Sequence, residues 1–122
     1  MAGAKSFKDL LVWQKAMELV KLCYLITEQL PKHEMYALAD QVRRAAVSIP
    51  SNIAEGSKRH NSKEFHHFCS IAQGSAAELE TQLILISDLH ENIVTDDALA
   101  LLSEVQRMLT RLSQSLRLKT NH

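Results

Sequence analysis

His60, His66 and His67, with Glu64 among them, are the side chains whose types and closeness in sequence could hold a metal. A metal site needs ligands that converge on one point, and neighbouring histidines leave a helix in different directions. No metal or other cofactor is therefore expected. His33-Glu34 lacks the second histidine, four residues after the first, that a zinc-protease helix requires. Glu55 and Glu78 could meet as a carboxylate pair, yet neither opens the Glu-x-x-His element of di-iron bundles. There is no glycine-rich loop to cradle a phosphate. With no convergent set of acid, base or nucleophile, the chain reads as non-enzymatic, with no catalytic residues.

Cationic side chains make a better case. Lys58, Arg59 and Lys63 cluster around His60, Arg43 and Arg44 are adjacent, and Arg107, Arg111, Arg117 and Lys119 follow one another near the C-terminus. Arg107 and Arg111, four residues apart, share a helical face. Lys58, Arg59, Lys63 and the C-terminal set are the candidate contacts to nucleic-acid phosphates. The alternative for each cluster is a solvated surface, or pairing with acids on a neighbouring subunit. Aromatic residues do not interleave with the basic ones along the chain, so the usual platform for stacking bases is missing from the sequence pattern.

Charge position sharpens both readings. Formal net charge is zero, but residues 1–63 hold ten Lys/Arg against six Asp/Glu, residues 64–104 hold eight acids and no Lys/Arg, and residues 105–122 hold four bases and no acids. Such segregation lets a neutral chain present one cationic and one anionic surface, for a polyanion or for another copy of itself.

These residues must be positioned by helices. Hydrophobic residues make up 46% of the 122-residue chain and aromatics 5%, with three Gly and two Pro, a composition of aliphatic helices joined by few turns in one domain spanning 1–122. Cys23 and Cys69 form no metal spacing and are expected as buried free thiols in a reducing cytoplasm. The N-terminus lacks the apolar core of a signal peptide, and no apolar run is long enough to span a bilayer.

The capping-box variant Ser6-Phe7-Lys8-Asp9 opens a helix over about 7–29, whose seam is Val12, Ala16, Leu19, Cys23, Ile26 and Leu30. Trp13, Met17, Val20 and Tyr24 widen that seam beyond what one core covers, so this helix is expected to touch another subunit. Leu30-Pro31 ends it. A second helix over 35–55 carries Leu38, Val42, Ala45, Ile49 and Ile53, with Gly56 as its stop. A third, over 62–89, opens at Asn61 or Ser62 and has a seam of Phe65, Phe68, Ala72, Ala76, Leu79, Leu83 and Ile86. A fourth, over 96–118, is capped by Thr95 or Asp96 and carries Leu99, Leu102, Val105, Leu109, Leu112 and Leu116. Short connections make consecutive helices antiparallel, and the expected fold is all-α, an up-down-up-down four-helix bundle.

Pro50 falls inside the second helix, where it removes a backbone donor and crowds the carbonyl of Ala46 at a cost of about 3 kcal/mol. A kinked but continuous helix is expected, with Ser48 and Ser51 serving the freed backbone groups. Opposite the apolar face, Arg44, Ser48, Ser51, Asn52 and Glu55 form a stripe of mostly short polar side chains. The third helix has a matching small stretch, Gly74-Ser75-Ala76-Ala77, followed by Glu78. The two helices are expected to pack tightly there, with Glu78 paired to Arg43 or Arg44.

The blocks FKDLLVWQKA (Phe7 to Ala16), LADQVRRAAVSIPSNIAEG (Leu38 to Gly56) and FCSIAQGSAAELETQL (Phe68 to Leu83) resemble the four-helix-bundle proteins encoded in intervening sequences of bacterial 23S ribosomal RNA genes. The resemblance implies a homo-oligomer, typically a pentameric ring of bundles. It extends to the accessory proteins of diversity-generating retroelements, which associate with a reverse transcriptase and nucleic acid and are strongly basic, unlike this chain. Among the matching residues, Arg43, Arg44, Ser48, Asn52, Glu55 and Glu78 read as determinants of fold and assembly, with Trp13, Pro50 and Gly74 beside them. The expected protein is a cytoplasmic homo-oligomeric accessory or scaffold factor, partnered by itself and by RNA or a nucleoprotein such as a reverse transcriptase. The alternative is pure self-assembly with a protein partner and no nucleic acid.

Overall fold

A computed structural model describes residues 6–120, except for the Thr120 side chain. Four helices make up the fold: α1 (Leu11–Thr27), α2 (Asp40–Ser57), α3 (Ser62–Leu89) and α4 (Asp96–Thr120), with no strand among the described residues. Each packs on two others: α1 and α3 both lie against α2 and α4, and the α2–α3 pair has the most extensive contact.

The Ser6 box forms as expected, Ser6 Oγ accepting from the Lys8 amide at 3.0 Å and Asp9 Oδ2 from the Ser6 amide at 3.3 Å. It caps only a 3-10 turn, Phe7–Asp9. Leu10 is extended, with ψ at 124°, so the α-helix begins at Leu11 rather than at residue 7. Pro31 is also extended, and the chain enters α2 through a 3-10 turn, Lys32–Glu34, and a π turn, Met35–Ala39. Nothing in the sequence pattern signals that wider turn. Glu34 and His90 join this entry to the end of α3, with Oε2 and Nε2 at 2.9 Å and both side chains largely covered.

All six positions of the first seam are buried, Val12 to Ile26 on α1 and Leu30 past its end at Thr27, as are Leu38 in the π turn and Val42, Ala45, Ile49 and Ile53 on α2. On α3 the seam is sealed from Ala72 to Ile86, while Phe65 and Phe68 are half-buried near its start. On α4, Leu102, Val105, Leu109 and Leu116 are buried, with Leu99 and Leu112 at the rim. Burying a Leu or Ile side chain stabilises by roughly 1.5–3 kcal/mol, so these aligned seams are the main favourable term.

α2 runs unbroken through the buried Pro50. The nearby polar groups satisfy one another. Asn52 Nδ2 donates to the Ser48 carbonyl at 2.8 Å and to Ser48 Oγ at 3.0 Å, and Ser48 Oγ bonds Ser75 Oγ of α3 at 2.7 Å. Ser51 is exposed and takes no part, and Ser48 bonds Asn52 and Ser75 rather than the Ala46 carbonyl that Pro50 frees, so the expected service of that group by the two serines does not form.

The glycines behave differently from the expectation. Gly56 does not stop α2, which continues to Ser57 with Lys58 as its cap. A Cβ at Gly56 would stand 2.8 Å from both Phe65 Cδ1 and Phe68 Cβ, so glycine is required there for close helix approach. At Gly74 a Cβ would meet nothing within 4 Å, and it is Ser75 that touches α2.

Opposite outcomes follow for the two positions. Gly56→Leu overpacks a contact whose nearest neighbour, Phe68 Cβ, is anchored to backbone, and should cost about 2–3 kcal/mol. Gly74→Ala, in an open helical position, should gain about 0.5–1 kcal/mol. Urea unfolding midpoints test both. Cys23 and Cys69 are free and buried, and burial pushes their thiols from 9.0 up to about 12 and about 11. The native state therefore holds both protons longer than the unfolded chain. The stability this contributes is complete below pH 9.0 and erodes as pH rises toward about 12. Thiol reagents at pH 8 should modify the protein only as fast as it opens, which a comparison of modification and unfolding rates will read.

Candidate nucleic-acid interface

The α2–α3 junction is built from a helix end, four connecting residues and a capped helix start. At the end of α2 the Lys58 and Arg59 amides bond the carbonyls of Glu55 and Gly56 at 3.3 and 3.1 Å. Asn61 then caps α3 reciprocally. Its Oδ1 accepts from the Glu64 amide and its Nδ2 donates to Glu64 Oε2, both at 2.9 Å.

Around that frame the cations meet rings. Arg59 lies with its guanidinium carbon 4.8 Å from the centre of the Phe68 ring, and its Nη2 donates to Glu55 Oε2 at 2.6 Å. Lys58 Nζ sits 5.7 Å from the centre of Phe7, whose ring meets Trp13 edge-on at 5.2 Å. His67 packs edge-on to Phe68, with centroids 5.4 Å apart. Lys63 is exposed and has no carboxylate partner among the described residues. An open pocket of about 600 Å³ is lined by Arg59, Asn61, Lys63, Glu64, His67 and Phe68.

The sequence pattern predicts no stacking platform beside the basic clusters; the fold sets Phe68 under Arg59 and Phe7 under Lys58. Gly56 makes the first of these possible, since it admits Phe65 and Phe68 against α2 beside the basic turn. The signal available in the sequence was that both phenylalanines lie within two turns of Lys63. Among the described residues no three His, Cys, Asp or Glu side chains converge as a metal-holding group.

The C-terminal cations lie along α4. Arg107 Nη1 donates to Ser103 Oγ at 2.7 Å, and Arg107 and Arg111 border a shallow depression with Gln106 and Thr110. Arg107, Arg111, Arg117 and Lys119 are all exposed, with no carboxylate partner among the described residues.

The residues read as determinants of assembly divide among several contacts. The expected pairing of Glu78 with Arg43 or Arg44 does not form. Arg43 turns toward α1, where its Nε donates to the buried Thr27 Oγ1 at 2.9 Å and its guanidinium lies 5.1 Å from the centre of Tyr24. Arg44 pairs within its own helix with Asp40 at 2.9 Å. Successive residues on a helix diverge by about 100°, and each arginine takes the partner its own direction offers. Glu55 is likewise engaged locally, by Arg59, and Trp13 by Phe7. Arg44, Ser48, Ser75, Glu78 and Gln82 instead line an open groove of about 500 Å³ between α2 and α3, where Gln82 Oε1 is buried without a partner.

The fold and the junction define a class: an all-α protein of four helices with a cationic, ring-bearing connection between α2 and α3. Residues 8–113 match the model of the 23S rRNA-intervening sequence protein family, and the chain belongs to that family. No curated protein matches it. Among the described residues no helix is long and apolar enough to cross a membrane.

The cap at Asn61 sets the direction in which α3 leaves the basic turn. Asn61→Ala should lower stability by about 1 kcal/mol. Amide hydrogen exchange should rise first in residues 62–66, while the core of α3 keeps its protection.

Proposed function

We propose that the protein is a non-enzymatic accessory or scaffold factor that assembles into a homo-oligomeric ring and associates with RNA, or with a nucleoprotein, through the basic end of each subunit. The observation that carries this is the gathering of Lys58, Arg59 and Lys63 with Lys8 and three phenylalanines at one junction.

We infer further that the helices run up-down-up-down. Lys58 over Phe7 links the end of α2 to the start of α1, and Glu34 with His90 links the opposite ends. Gln106 donates to Glu80 at 3.0 Å across α3 and α4. In that arrangement, residues twelve before Glu80 stand level with residues twelve after Gln106, which sets Phe68 beside Leu118. Arg117 and Lys119 then join the basic junction. Glu28, Glu34, Asp88, Glu91, Asp96 and Asp97 collect at the other end, and the neutral subunit is polarised along its length.

A ring of parallel subunits puts the basic ends on one face, where several weak phosphate contacts act together. Exposed apolar side chains support assembly. Leu11 and Leu25 on α1 are 56% and 60% exposed, and Ile71, Leu85 and Leu89 recur on one face of α3 beside the groove that contains Gln82. The resemblance to ring-forming relatives is the basis for five subunits. The covered thiols suit a reducing cytoplasm.

The competing reading is self-assembly alone, and exposed Glu78 and Glu80 on α3 facing Arg107 and Arg111 of a neighbour would support it. Native mass spectrometry should give a single closed oligomer, five subunits by this reading. Binding of a structured RNA across a salt series should weaken steeply. Lys58→Ala/Lys63→Ala should reduce the log–log salt slope by about two. Arg107→Ala/Arg111→Ala tests the α4 row in the same way. No binding at low salt by an intact oligomer would leave assembly as the sole role.

A further inference from the structure

The ring faces at the basic junction have a use beyond neutralising phosphates. The geometry points to a stacking site for unpaired nucleotides of an RNA strand, centred on Arg59, His67 and Phe68, with Lys63 meeting the adjoining phosphate. This inference rests on the RNA-binding reading above and specifies the conformation of RNA that the junction takes.

Arg59 is fixed from two sides. The Phe68 ring lies beneath its guanidinium at 4.8 Å, and Glu55 holds its Nη2 at 2.6 Å. A guanidinium held in this way is a flat surface already in place, and guanidinium planes and imidazole rings are both partners on which bases stack. His67 is exposed, meets Phe68 edge-on, and borders the same open pocket of about 600 Å³. That volume falls in the range that holds a small organic ligand, and here one flank is cationic and another is made of rings. Lys63, on the pocket rim and free of any carboxylate partner among the described residues, is left for a phosphate.

Asn61, Glu64 and Arg59 already have partners within the protein. Asn61 Oδ1 and Nδ2 are used in capping α3, and Glu64 Oε2 accepts from Asn61. Few polar groups are left to read a base edge, so recognition proceeds by stacking and charge with little sequence preference. Lys58, the neighbour of Arg59, adds a second cation over a ring, that of Phe7, beyond the pocket.

A duplex keeps its bases stacked inside and offers only phosphates, which separates stacking from charge. The test measures fluorescence anisotropy of an RNA homopolymer strand of about a dozen nucleotides, one site size of a typical strand binder, and of an RNA duplex of the same length. A second strand carries 2-aminopurine to report stacking directly. The strand should bind the intact protein more tightly than the duplex, and 2-aminopurine emission should be quenched on binding. His67→Ala/Phe68→Leu should weaken strand binding roughly tenfold while duplex binding and the salt slope hold. Lys63→Ala should reduce the slope for both. Phe68 also packs beside Gly56, so His67→Ala alone, at an exposed position, and the 2-aminopurine signal of the unsubstituted protein provide readings that do not depend on Phe68. Equal binding of strand and duplex with unquenched 2-aminopurine overturns the stacking site and leaves the RNA reading standing. Absence of binding to either RNA overturns both.

Discussion

The close contact between α2 and α3 is the constraint from which the rest follows. Two features set it. Gly56 has no Cβ to hold off Phe65 and Phe68, and Ser48 and Ser75 are short enough to share a hydrogen bond of 2.7 Å between the helices. With larger side chains at these positions α3 would stand off, and the seam residues Ile49, Ile53, Ala72 and Ala76 would lose their packing. The same contact brings Phe68 under Arg59. Packing and the candidate interface are thus two consequences of one approach distance.

Pro50 sits two residues from Ser48. Its missing donor leaves the Ala46 carbonyl without its helical bond, and none of the neighbouring side-chain bonds reaches that carbonyl. Here Asn52 reaches back to the Ser48 carbonyl and hydroxyl, and the hydroxyl passes on to Ser75. Two members of the polar stripe of α2, Ser48 and Asn52, therefore serve the helix pair from inside the subunit. On the other flank Arg43 does similar work toward α1, binding Thr27 and covering Tyr24, a contact that lets a charged group sit partly covered without an acidic partner.

The neutral net charge conceals a strong local arrangement. Phosphate recognition depends on local potential and on how many contacts act together, and a zero total neither prevents nor implies it. Membership of the 23S rRNA-intervening sequence protein family does not state what the chain binds. The chemistry of the α2–α3 junction, where cations lie on ring faces beside an open pocket, is the specific ground for the RNA reading.

The sequence by itself determined the four helices and their buried seams, because apolar residues at spacings of three and four select one face of a helix whatever lies opposite. It also carried the Ser6 cap, the Asn61 cap and the continuity of α2 through Pro50, all of which depend on residues within one turn. It marked the resemblance now expressed as family membership. What it misassigned depends on direction and distance between helices. Glu78 and the two arginines are compatible in charge, yet the azimuths of α2 send Arg43 to α1 and Arg44 to Asp40. Gly56 resembles a helix stop until the two phenylalanines against it are known, and Gly74 resembles a close contact until it proves to face open space. Phe7 stands far from Lys58 in sequence and at its side in space, and Phe68 reaches Arg59 only because α3 turns back against α2. Periodicity carries burial because burial is a property of one helix; partners are a property of two, and only the tertiary structure could choose them.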